Sequence, residues 1–115
     1  MNEPFTTLDS VLAEWLPQYG LTLYSMHQDE QVRLIHVIDD KELRYEIWIE
    51  SPSNGKSFTI RAHWDLGKKI NRQRVTKSWK KKSQLSDLFQ TLDMAYEEVE
   101  RWIAANGNTR TWVSP

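Results

Sequence analysis

The chain has 115 residues, 15 basic and 16 acidic side chains and no cysteine. That is enough for one domain with a core of its own, and it excludes disulfide-stapled scaffolds, thiol catalysis and cysteine-bound metal centres. A 39% hydrophobic content with six Trp, four Tyr and three Phe excludes disorder, which needs few aromatics.

The opening MNEPFTTLDS is acidic and polar where a secretory signal is basic and then apolar. No apolar run approaches the roughly 18 residues of a membrane span. The expectation is a soluble cytoplasmic protein without membrane contact, one domain over residues 1–115 with loose ends at 1–5 and 107–115.

Leu8, Val11, Leu12, Trp15 and Leu16 recur at three- and four-residue steps, the period of an amphipathic helix. Thr6 or Thr7 is the expected N-cap, with Asp9 in the first turn where the helix dipole favours a carboxylate. Pro17 and Gly20 should stop the helix near Leu16.

Beyond Leu21 the period falls to two. Segments 21–27, 31–39, 43–50, 57–65 and 72–80 are rich in β-branched and aromatic residues and are predicted as five strands. Asn54-Gly55 is the clearest hairpin signal. The connections are too short for parallel crossovers, so the sheet should be an antiparallel meander. Tyr45, Ile47 and Ile49 share one strand face, matched by Phe58, Ile60, Ala62 and Trp64. Arg44, Glu46, Trp48 and Glu50 share the opposite face, matched by Thr59, Arg61, His63 and Asp65. The second strand is apolar on both faces, and alternation alone leaves open which of them is inward.

Leu85, Leu88, Phe89, Leu92, Tyr96, Val99, Trp102 and Ile103 predict a helix of about 20 residues, from Ser83 as N-cap to Asn106-Gly107. The expected fold is a two-layer α+β domain of order α-β-β-β-β-β-α. A four- to five-stranded meander carries both helices on one face. Its core should contain Leu12, Trp15, Ile47, Ile60, Leu88, Phe89, Leu92, Val99 and Ile103.

The near-neutral total conceals segregation. Residues 1–54 carry 3 basic and 10 acidic side chains, residues 55–82 carry 10 and 1, and residues 83–115 carry 2 and 5. Lys68, Lys69, Arg72, Arg74, Lys77, Lys80, Lys81 and Lys82 follow one another with no acid between them. Such a patch attracts a phosphate backbone or an acidic protein, and Trp79 beside the last three lysines suits base stacking. A lysine-rich edge strand that resists strand-to-strand aggregation has the same composition.

The α-β-β-β-α part of the order, with lysines leading into the last helix, resembles the double-stranded-RNA-binding domain. The chain is not assigned to that family, because Lys80, Lys81 and Lys82 are followed by Ser83, Gln84 and Leu85 and not by a helix of lysines interleaved with alanines.

No phosphate loop, nucleophile elbow or zinc-protease motif occurs, so the chain is expected to be neither an enzyme nor a cofactor carrier. His63 with Asp65, joined by His36 if the strand register allows, is the best remaining metal or acid–base constellation. Trp48 with Arg44, Arg61 and His63 forms an aromatic–cationic face patch typical of interfaces. Asp29, Glu30, Asp39, Asp40 and Glu42 flank the second strand. If they emerge together they complement a basic cleft. The leading expectation is an inhibitor or immunity-type factor that binds a protein partner through these acidic loops. The alternative is a nucleic-acid-binding protein using residues 67–82.

Overall fold

The switch of hydrophobic period at Gly20 is a change of element. The computed structural model describes residues 3–21, 23–26, 32–50, 57–70 and 73–109, with side chains for 8–21, 32–50, 57–65 and 76–109. Helix α1 (Glu3–Trp15) passes into a 3-10 turn over Leu16–Tyr19. Gly20 closes this turn at φ 63°, its N–H bonded to the Leu16 and Pro17 carbonyls. A left-handed residue costs least as glycine. The helix starts earlier than expected, so Thr6 and Thr7 lie within it and not at its cap.

Strands β1 (Leu23–Met26), β2 (Val32–Ile38), β3 (Arg44–Glu50), β4 (Phe58–Ile70) and β5 (Gln73–Ser83) follow. They form one sheet in chain order, every neighbouring pair antiparallel. The last two strands outrun the prediction. The segment 66–71, expected as a loop, carries β4 on to Ile70, with Lys69 paired to Arg74 beyond the last paired residue of β3. Ladder pairing between the two long strands overrides the weak turn signal of Gly67. The expected Asn54-Gly55 hairpin and residues 110–115 of the expected loose end lie outside the described residues.

Ser83 is not a helix cap. It ends β5, nearly buried, and its Oγ receives the Thr91 hydroxyl at 2.9 Å. A 3-10 turn (Leu85–Asp87) then leads into helix α2 (Leu88–Ala105).

Both helices cover one sheet face. Ile35 and Val37 of β2, Tyr45, Ile47 and Ile49 of β3, and Phe58, Ile60, Ala62 and Trp64 of β4 are buried with Leu8, Leu12 and Trp15 of α1 and Leu88, Leu92, Val99 and Ile103 of α2. Of the expected core only Phe89 is less than buried, packing on its margin. The inward set of β2 is thus Ile35 and Val37, accompanied by Arg33, which is 3% exposed. At one end, Asp93 of α2 accepts the Trp15 indole N–H at 2.9 Å and the Tyr19 hydroxyl at 2.7 Å. These two bonds tie the helices together. Burial, and then this carboxylate, push the Tyr19 phenol well above its ordinary pKa.

Candidate functional site: the open sheet face and the basic edge

Among the described residues no helix lies on the second face of the sheet, where Leu34 and His36 of β2 are nonetheless largely covered, and strand register decides what that face displays. Leu34, Trp48, Arg61 and Lys80 form one row across β2, β3, β4 and β5, and His36, Glu46, His63 and Ser78 form the next. Glu50, Thr59 and Lys82 form a third. The first row carries the aromatic–cationic patch and adds Lys80, which one strand's alternation cannot connect to Trp48.

Trp48 is half-buried, and its indole N–H donates to Glu46 Oε1 at 3.3 Å. Arg61, opposite it and 47% exposed, pairs through Nε with Glu50. Between Trp48, Arg61, His63, Ser78 and Lys80 lies an open concavity of about 420 Å³, within the size range of small-molecule sites. Arg44 lies one row beyond, beside a second, smaller concavity that it shares with Glu46, His63 and Asp65.

His36 and His63 do reach the same face, on either side of Glu46. Glu46 Oε2 stands 3.5 Å from His36 Nε2 while its other oxygen holds Trp48. Burial and the Arg44 charge, opposed by Glu46, hold the His36 imidazole below its ordinary pKa. Among the described residues no three His, Asp or Glu side chains converge as metal ligands. The one carboxylate between the two histidines is already engaged.

The acidic loops divide. Asp29 and Glu30 lie outside the described residues. Asp39, expected at a partner surface, is 1% exposed and turned inward. Its Oδ1 accepts the backbone N–H groups of Lys41 and Leu43, both at 2.9 Å, and its Oδ2 accepts the Tyr45 hydroxyl and Asn108 Nδ2, also at 2.9 Å. Burial works to raise its carboxyl, but the four donors, Asn108 foremost, outweigh it and leave the pKa below the usual value. A short polar loop that docks on the end of α2 needs an internal acceptor, and Asp39 supplies it. Asp40 and Glu42 remain exposed. Asp40 is nonetheless stitched to Thr109 by bonds of 2.7 and 3.0 Å, and Glu42 sits at φ 64° in the turn.

The described part of the basic set lies on β4 and β5, and among the described residues β5 is an edge of the sheet. Lys68 and Lys69 fall on β4 and Arg74 on β5, where only the backbone is described, and Arg72 is outside the described residues. Lys77, Lys80, Lys81 and Lys82 are all exposed. Register puts Lys80 and Lys82 on the open face, whereas Lys81 pairs with Ile60 on the helix side and reaches Met94 Sδ at 3.7 Å. Trp79 pairs with Ala62 on the helix side and packs half-buried against the core. The aromatic beside the lysines is therefore directed to the helix side by register, although Trp79 also borders the concavity at Trp48.

Compared with protein-family models, with curated proteins and with solved structures, the chain matches none. Among the described residues no helix is long and apolar enough to cross a membrane.

Proposed function

We propose that the protein binds nucleic acid through the β4–β5 edge and the adjoining open face. The observation that supports this most is that the long acid-free run of cations in the sequence, residues 67–82, falls on β4 and β5, and that its described side chains, Lys77, Lys80, Lys81 and Lys82, lie on β5, which among the described residues is an edge strand. Across the ladder Lys80 of that run is paired with Arg61, which is paired with Trp48.

The helix layer has the opposite sign. α1 carries Glu3, Asp9 and Glu14 without a basic residue, and α2 carries Asp93, Glu97, Glu98 and Glu100 against Arg101. A polyanion is repelled from the helices and attracted to the edge. The leading expectation from sequence, a protein partner held by the acidic loops, loses Asp39 to an internal role and keeps Asp40 and Glu42 as its described, exposed members.

Electrophoretic mobility shifts at low salt, with single- and double-stranded probes, test the reading. Binding is expected to weaken steeply as salt rises, because each neutralised phosphate releases counterions. The Lys80/Lys81/Lys82→Glu variant should bind neither probe. No shift at micromolar protein overturns the proposal. A native-host protein that is retained by this variant but lost by Asp40/Glu42→Lys would assign the function to the acidic loop instead.

A further inference from the structure

The first row of the open face is graded. Trp48 stands at its β3 position, Arg61 opposite it on β4, and Lys80 at the β5 edge. Glu46, two residues before Trp48 on the same strand, accepts the indole N–H. Arg61 shares its charge with Glu50, whereas no carboxylate among the described residues pairs with Lys80 or Lys82. An anion therefore settles towards β5. The neutral, flat part of the same ligand is left over Trp48, where the concavity has room for it.

We infer that this face takes single-stranded nucleic acid, with one base stacked on Trp48 and the flanking phosphates on Arg61, Lys80 and Lys82. The inference rests on the nucleic-acid reading above and narrows it. Stacking requires a base whose π-face is open, and a duplex keeps its bases stacked on one another. Lys80 and Lys82, two residues apart on one strand face, stand about 7 Å apart, suited to successive phosphates of an extended strand. Every base has a π-face, so a lone tryptophan selects for strandedness and not for sequence.

Fluorescence anisotropy with a labelled 12-nucleotide oligothymidylate and with the matching 12-base-pair duplex separates the two claims. The wild type should bind the single strand at least tenfold more tightly. Trp48→Ala should lose roughly tenfold to a hundredfold on the single strand and leave duplex binding unchanged, while Trp48→Phe, which keeps a stacking ring, should retain most of the affinity. An unchanged melting temperature in both variants confirms that the fold is intact. If Trp48→Ala weakens both probes equally, or neither, the stacking inference is wrong and nucleic-acid binding stands. If the wild type binds neither probe, the reading beneath it falls as well.

Discussion

Arg33, on the helix-covered face of β2, forms a two-pronged ion pair with Asp9 of α1. Nε meets Oδ1 at 3.0 Å and Nη2 meets Oδ2 at 3.3 Å. The guanidinium is 3% exposed and Asp9 37%, so the pair pins the helix to the sheet at its rim. Removing Asp9 takes the carboxylate away from a cation that is almost wholly buried. Asp9→Ala should cost about 1–3 kcal/mol in urea unfolding, below the range for a fully buried pair because Asp9 is partly solvated. Adding Arg33→Met should recover much of that loss, since an apolar side chain needs no counter-ion. A double variant no more stable than Asp9→Ala would show that the arginine's remaining polar contacts carry the position.

Asp39 predicts an acid limb. Its folded pKa lies below the unfolded value of about 3.9. Its contribution is therefore complete above pH 4 and disappears as pH falls through the folded value. Asp39→Asn replaces one acceptor oxygen with an amide facing two donors and should cost about 2–3 kcal/mol at neutral pH. The variant should also lose the part of the acid sensitivity that Asp39 supplies. Unfolding curves of both proteins from pH 7 to pH 2 check this, and parallel curves would remove Asp39 as the source. The same bonds bear on Tyr45, whose phenol burial, with Asp39 as acceptor, pushes up to about 12 against the Asn106 amide. Its ionisation should be missing from a tyrosine titration near pH 10.

Leu92 lies at 0% exposure in α2 against the sheet. Leu92→Ala should destabilise the domain by about 2–5 kcal/mol, combining lost burial with the cavity left behind. A loss under about 0.5 kcal/mol, the surface value, would mean that the helix does not pack as described.

Hydrophobic period carried the fold class. The i, i+3, i+4 spacing from Leu8 and from Leu88, and the alternation of Tyr45-Ile47-Ile49 and Phe58-Ile60-Ala62-Trp64, are local signals, and they were sufficient for two helices on one face of an antiparallel sheet. What they left open was cross-strand. The second strand, apolar on both sides, turned Ile35 and Val37 inward only because its register with β3 sets them beside Tyr45 and Ile47.

Sites depended on that register still more. Trp48, Arg61 and Lys80 lie 13 and 19 positions apart in the chain, and only ladder pairing makes them one row. Asp39 looked like a loop acid because composition cannot distinguish a solvated carboxylate from one that four donors fold around. Two of those donors, Lys41 and Leu43, are local backbone, but Asn108 arrives from 69 residues away. Periodicity reports which face of an element is apolar, whereas a binding surface or a buried polar hub is made by residues distant in the chain, whose meeting is fixed by packing.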